Sequence, residues 1–463
     1  GPSAPRPAGP HAAGPPPRAA PPPWAVMALR GQPAGRARKG KAAGSPKDRV
    51  LTLKNRYKIN LEQTLGEGAT SVVYRGLDVQ EYQNVAVKIY KCKYSYEHGS
   101  DSQREEQAKS LDDFRKTVSV LASLGVAPEL HRASLRRLSS NSFDNTALSH
   151  SIAATMRPSL TSMSSDSTNS IIQPVLERID TTCCYVRLLD HSVNSDLRPG
   201  PDEIQELLYV VLELGEESLA DRLSGYRESG RSLTVQELRE LQWALASIVW
   251  GLHAAGYVHM DIKPENIMRF GSKDGSRWKL VDLDGAVETG ANVSLLDCTF
   301  TPEYMPPELA RAWLKKEQHL GEKVKLSRIM DVWSIGMCSL EAIFLQPVLH
   351  PWFAEWRSET GGDGKFFAWL GDYGTEPILS GDMHDLIAGI DEDMCDLLQS
   401  MLVKDPAGRL DIAQCLLHNW FEPLRTKCLR GMTRGATAER SAFASSEEPQ
   451  PQQARRSHIC GLM

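Results

Sequence analysis

Between residues 57 and 421 the hydrophobic pattern changes period, and the change divides the chain in two. Val72-Val73-Tyr74 and Val85-Ala86-Val87-Lys88-Ile89-Tyr90 are β-branched and aromatic runs separated by the turn-like stretch Asp78 to Asn84, which predicts paired strands. From Ser102 to Leu124 the spacing becomes helical, with Phe114, Val118, Leu121 and Leu124 on one side. Leu124-Gly125 and Pro128 supply its stop. Strand character returns at Cys183 to Leu189 and at Leu207 to Leu214. Beyond Leu219 the chain reads as mostly helical, apart from short β runs near Met268 and at Lys279 to Asp282. A β-rich part followed by a helical part predicts an α+β fold of two lobes with a cleft between them.

Three stretches lack such a pattern. Residues 1–56 form a basic Pro/Ala-rich tail that cannot bury enough apolar surface to fold. The absence of Asp and Glu before Asp48 is a feature of organelle transit peptides, but this segment is Pro-rich and has only Ser3 and Ser45. Met27 is a candidate start. The Ser-rich residues 131–175 read as a flexible insertion, and residues 422–463 as a flexible tail.

Composition narrows the class. Apolar residues at 41% and charged residues at 24% fit a globular protein with a sizeable core, and a net charge of −5 gives no global attraction to nucleic acid. Nine cysteines, with Cys183-Cys184 adjacent and no Cys-x-x-Cys pair, read as reduced thiols of a cytoplasmic protein rather than as a disulfide framework or zinc site. Trp243 to Val258 is the longest apolar stretch, and His253 within it favours a buried helix over a membrane span.

Candidate chemistry sits at four places. In Leu65-Gly66-Glu67-Gly68-Ala69-Thr70-Ser71 the glycines let backbone amides approach phosphate, although Gly-x-Gly between strands is also a plain turn. A strand follows rather than a helix, which excludes a dinucleotide fingerprint. Lys88 lies inside an apolar strand, where an ammonium needs a partner such as phosphate unless it snorkels from an edge. Val258-His259-Met260-Asp261-Ile262-Lys263-Pro264-Glu265-Asn266 puts a carboxylate and an amide on one short loop. Phosphoryl transfer uses both, as base and as oxygen ligand for Mg²⁺, and Lys263 can offset phosphoryl charge. Asp282 leaves the β run Lys279-Leu280-Val281 and suits a second metal ligand; in isolation Asp-x-Asp-Gly is equally a turn.

The order Gly-rich loop, Val-Ala-Val-Lys, His-x-Asp-x-Lys-x-x-x-Asn and Asp-x-x-Gly is similar to the eukaryotic protein kinase superfamily, Ser/Thr type. Thr301-Pro302-Glu303-Tyr304-Met305-Pro306-Pro307-Glu308, Asp331-Val332-Trp333-Ser334-Ile335-Gly336 and Asp405-Pro406-x-x-Arg409 extend the resemblance over residues 57–421. It implies a small β-rich N-lobe, a larger mainly helical C-lobe, and transfer of the ATP γ-phosphoryl to a protein substrate. It further implies Asp261 as base with Lys263 beside it, Lys88 on the α- and β-phosphates, and Mg²⁺ on Asn266 and Asp282. Leu65, Gly66 and Gly68 would cover the phosphates, and Val73, Ala86 and Met268 would enclose adenine. Leu212 would be the gatekeeper, with Glu213 to Gly215 as the hinge. The alternative function is an ATP-binding scaffold without activity.

Three positions depart from the family. The helix glutamate that pairs with the strand lysine falls on Thr117, with Asp113, Glu105 and Glu106 as substitutes on that helix. Met260 replaces the arginine that binds a phosphate on the activation segment, so phosphorylation at Thr289, Ser294 or Thr299 is not expected to be required. Asp284 stands where glycine is usual; it either restricts the segment or joins the metal shell, and an alternative alignment makes Asp284-Gly285 the metal pair. Arg136-Arg137-Leu138-Ser139 resembles a target of basophilic kinases. Cys460-Gly461-Leu462-Met463 resembles a farnesylation box, which with Arg455 and Arg456 would give reversible membrane association.

Overall fold

The computed structural model describes residues 50–92, 101–124, 183–271, 276–295, 300–318, 323–360 and 362–427, with Leu176, Ile179 and Thr181. The expectations for Arg136 to Ser139, Thr299 and Cys460 therefore lie outside the described residues.

Six strands form one antiparallel sheet: β1 (Val50–Leu53), β2 (Tyr57–Glu67), β3 (Ser71–Asp78), β4 (Gln83–Tyr90), β5 (Leu188–His191) and β6 (Tyr209–Glu213). Their order is β1-β2-β3-β4-β6-β5. The sheet starts at Val50, ahead of Tyr57, because Lys54 and Asn55 take positive φ (47° and 51°) and fold Val50–Leu53 back along β2. The run Cys183 to Leu189 is not one strand. Tyr185 bridges Leu280 and donates its O–H to the Ile248 carbonyl at 2.7 Å, so this segment is tied to the helical lobe and pairing in the sheet begins at Leu188.

Period-two alternation sorts β4. Val85, Val87 and Ile89 enter a cluster with Leu53, Tyr57, Ile59, Tyr209 and Val211 on one face of the sheet. Tyr90 joins Leu208, Val210 and two residues of helix α1 (Asp101–Leu124), Phe114 and Val118, on the other. Lys88 shares the alternation of Tyr90 and so lies on the α1 side, buried at 7% exposure. Along α1 the buried positions Phe114, Thr117, Val118, Leu121 and Leu124 make one stripe, which carries Thr117 into the same space.

The second lobe holds α2 (Leu219–Glu228), α3 (Val235–Ala254), α4 (Pro307–Gln318), α5 (Ile329–Phe344), α6 (His350–Thr360), α7 (Gly364–Leu370), α8 (Gly381–Ile390), α9 (Glu392–Met401) and α10 (Ile412–Leu417). Ser218 with Asp221, and Thr234 with Glu237, form capping boxes that start α2 and α3. Helix α5 is buried from Met330 through Ala342 with no exposed face, which places it at the centre of this lobe. Short ladders fix the loops around it. β7 (Glu217–Ser218) pairs with β9 (Ile267–Phe270), and β9 with β10 (Arg277–Leu280). β8 (Tyr257–Val258) pairs with β11 (Val287–Glu288), and β12 (Asn292–Ser294) with β13 (Lys323–Lys325). No helix among the described residues is long and apolar enough to cross a membrane.

Candidate active site

The loop of residues 259–266, between β8 and β9, is hung from one buried carboxylate. Asp331, in the first turn of α5 and fully buried, accepts the N–H of His259 at 3.0 Å and of Met260 at 3.1 Å, and lies 2.9 Å from His253 Nε2. Those bonds hold Met260 at φ 74°, a left-handed conformation that a non-glycine residue adopts only when its surroundings impose it. The next residue, Asp261, is thereby presented with both carboxylate oxygens engaged. Thr301 Oγ1 donates to Oδ1 at 2.8 Å and Lys263 Nζ to Oδ2 at 2.7 Å, while Lys263 Nζ also reaches Thr301 Oγ1 at 2.8 Å. Asn266 Nδ2 donates to the Asp261 carbonyl at 2.9 Å, which leaves the oxygen of its amide as a ligand.

Across the cleft stands Lys88. Its Nζ lies 2.6 Å from Asp282 Oδ1 and 2.7 Å from Asp284 Oδ2. Asp282 sits at φ 56°, and its carbonyl lies 3.0 Å from His259 Nε2. Thr117 Oγ1 is 3.0 Å from Asp284 Oδ1 and 2.9 Å from the Asp113 carbonyl. The expected substitutes on the helix are thus corrected: Asp113, Glu105 and Glu106 are exposed, and the carboxylates on Lys88 come from residues 282 and 284. Burial alone would lower the Lys88 pKa, but Asp284 and then Asp282 outweigh it and the net direction is up. Burial likewise pushes the Asp282 carboxyl upward, while Lys88, His259 and Lys263 pull it below its usual value. Sequence reasoning missed the Lys88–Asp284 pair. Its signal was a carboxylate absent at Thr117 and an extra one at Asp284, two departures that become one feature when read together.

The residues expected around a nucleotide converge from both lobes. Gly68 donates its N–H to the Ser71 carbonyl at 2.9 Å across the β2–β3 turn. A Cβ at Gly66 would meet nothing within 4 Å, so packing does not require glycine there, and the open space is what phosphates would fill. In register, Val73 lies opposite Lys88 and Ala86 opposite Leu212. Leu65 is exposed at the rim. At the hinge the N–H of Glu213 is spent on the Arg187 carbonyl and that of Glu216 on the Arg269 carbonyl, so any N–H donated to a ligand there comes from Leu214 or Gly215 between these pinned ends. A Cβ at Gly215 would stand 2.9 Å from Met268 Cε, so glycine lets the hinge run this close over Met268.

The oxygen donors Asn266 and Asp282 fit Mg²⁺, which takes one or two protein oxygens and completes its shell with phosphates and water. Among the described residues no three His, Cys, Asp or Glu side chains gather to hold an ion by themselves.

Backbone pairing ties down the segment that follows Gly285. Thr289 donates its N–H to the Gly256 carbonyl, Gly290 to Leu326, and Leu326 to Ala291, and β12 then pairs with β13. Met260 is buried in the core of the helical lobe, where an arginine would be needed to receive a phosphate. Thr289 Oγ1 is buried as well. We expect Ser294→Glu to change the rate of phosphoryl transfer by less than about threefold, because the buried Met260 gives a phosphate mimic no guanidinium at the loop position, and Lys323 opposite Ser294 lies on the partner strand rather than on the catalytic loop. A tenfold rise in a peptide assay would contradict this.

A second buried carboxylate lies under the segment. Tyr304 O–H donates to Glu341 Oε2. Burial pushes the Glu341 carboxyl up to about 7; the Tyr304 bond and Arg227 oppose the shift, and Glu265 and Glu303 add to it. Because the folded state holds this proton more tightly than the unfolded state, its contribution is complete below the usual 4.5 and is lost as pH rises through about 7. The loss amounts to roughly 3 kcal/mol. Urea midpoints of wild type should therefore fall between pH 5 and pH 8 more steeply than those of Glu341→Gln, and parallel slopes would count against the assignment.

The protein kinase domain model matches residues 186–421, just over half of the chain, and the chain belongs to that family. Myosin light chain kinase, smooth muscle, of Gallus gallus is 27% identical over 221 residues, covering 48% of this chain and 10% of that protein. Myosin light chain kinase 3 of Pongo abelii is 28% identical over 183 residues, covering 40% of this chain and 19% of that protein. The chain thus spans a small part of the length of these relatives.

Proposed function

We propose that this chain is an active Ser/Thr protein kinase that transfers the γ-phosphoryl of ATP to a protein hydroxyl. The observation that carries the reading is the Asp261–Lys263–Thr301 triangle, closed by contacts of 2.7 and 2.8 Å, beside Asn266 and opposite Lys88. Asp261 accepts the proton of the attacking hydroxyl and orients its oxygen toward the γ-phosphorus. As that P–O bond forms, the bond from the γ-phosphorus to the bridging oxygen breaks and ADP leaves. Lys263 opposes the charge on the transferred group, and Thr301 fixes the position of both side chains. Lys88 pairs with the α- and β-phosphates. Asn266 and Asp282 would hold Mg²⁺, which when bound supplies neutralisation of the phosphate charge.

The rival reading, a scaffold that binds ATP without transfer, rests on Met260 in place of the arginine and on the missing glutamate at Thr117. Asp284 weakens the second reason, since it gives Lys88 a carboxylate from elsewhere. Phosphate transfer from ATP·Mg²⁺ to a mixed peptide library, run beside Asp261→Asn, tests the proposal. Labelled Ser/Thr peptides that disappear in the variant support it, and a wild type no better than the variant refutes it.

A further inference from the structure

We propose that Asp284 is the positioning carboxylate for Lys88, steadied by Thr117 of α1, and that Asp282 is thereby left free to bind metal. This rests on the phosphotransferase reading above. One buried ammonium faces two carboxylates within 2.7 Å, and the two are not equivalent. The Asp282 carboxylate is 48% exposed and that of Asp284 only 25%. A cation arriving with phosphate competes for the more open one, and Lys88, whose side chain is 9% exposed, then needs a partner that stays. Asp284 fits that part because it has a second contact. Thr117, 2% exposed on the buried stripe of α1, places Oγ1 at 3.0 Å from Asp284 Oδ1 and at 2.9 Å from the Asp113 carbonyl of the preceding turn, so its single proton is shared between these two acceptors.

The exchange conserves charge. Where a long acidic side chain on α1 would reach Lys88, a short hydroxyl stands instead, and the carboxylate comes from the chain just beyond Asp282. None of the acids expected in this role on α1 takes it, since Glu105, Glu106 and Asp113 are exposed.

Four variants of the full chain test this: Asp284→Asn, Asp284→Gly, Thr117→Glu, and Thr117→Glu combined with Asp284→Gly. Three quantities are read: the ATP·Mg²⁺ dissociation constant by calorimetry, the urea midpoint of the nucleotide-free protein, and kcat against KM. Asp284→Asn and Asp284→Gly should weaken ATP binding by about tenfold or more, and the combined variant should return to within about threefold of wild type. The asparagine keeps the shape and an acceptor for Thr117 but not the charge, so an Asp284→Asn protein that binds ATP like wild type overturns the proposal. A combined variant no better than Asp284→Gly also overturns it. If Asp284→Gly alone does not fold, recovery of folded protein in the combined variant is the rescue, and failure of both refutes the exchange. A wild type that does not bind ATP would sink the kinase reading, and the urea midpoints would then decide the carboxylate exchange by the same pattern of rescue.

Discussion

Asp261→Asn is expected to slow phosphoryl transfer by roughly 10²- to 10⁴-fold, the range that general base catalysis contributes. The asparagine matches the carboxylate in size and can still accept from Thr301 Oγ1, which lies 2.8 Å from Asp261 Oδ1, but it cannot take the substrate proton. Lys263 would also lose its counter-ion at 2.7 Å and drift from the transferred group. The substitution leaves the hinge, Met268 and Lys88 untouched, so the loss should fall on kcat with ATP affinity kept within a few-fold. Single-turnover rates and ATP binding measured on the same preparation would separate the two. A loss of binding equal to the loss of rate would mean that the residue organises the cleft and is not the base.

The largest effect on stability is expected at Arg409. Its side chain is fully buried, and Nη1 and Nη2 each reach an oxygen of Glu308 at 2.9 Å. The remaining donors go to the carbonyls of Val403 at 3.0 Å, Ile329 at 3.0 Å and Lys404 at 3.3 Å, and the guanidinium lies 5.1 Å from the Trp333 ring centroid. Arg409→Leu removes the partner of a nearly buried carboxylate and takes a guanidinium donor away from three carbonyls. Breaking such a pair costs about 3–5 kcal/mol, because the charge left behind has no compensation. Chemical denaturation should show that loss, and Arg409→Lys should recover only part of it, since an ammonium cannot match the two-pronged contact. A change below about 1 kcal/mol would show that the pair is not holding α4 against the loop between α9 and α10.

The two lobes were legible because their periods differ. The alternation in Val85 to Tyr90 placed Lys88, and the stripe from Phe114 to Leu124 placed α1. The loop around Asp261 was legible because its residues are adjacent in the chain and their chemistry is specific. The partner of Lys88 was not, because Asp284 lies far along the chain and is selected by geometry rather than spacing. A helix register could show that Thr117 has no charge, but only the folded chain shows where that charge went. The start of the sheet at Val50 was hidden by a three-residue connection, Lys54-Asn55-Arg56, without the glycine that usually signals a turn. The same difficulty met Cys183 to Val186, whose composition suits a strand but whose partners lie in the helical lobe.

The β12–β13 ladder has a consequence for how the segment responds to solution conditions. A loop ordered by a phosphate on an arginine depends on charge, and salt weakens it within a Debye length of about 8 Å at physiological ionic strength. Here the ordering comes from Asn292–Ser294 zipped to Lys323–Lys325 through neutral peptide groups. Ionic strength should therefore change this pairing little, and circular dichroism or hydrogen exchange of Asn292–Ser294 measured across a salt series is expected to stay flat.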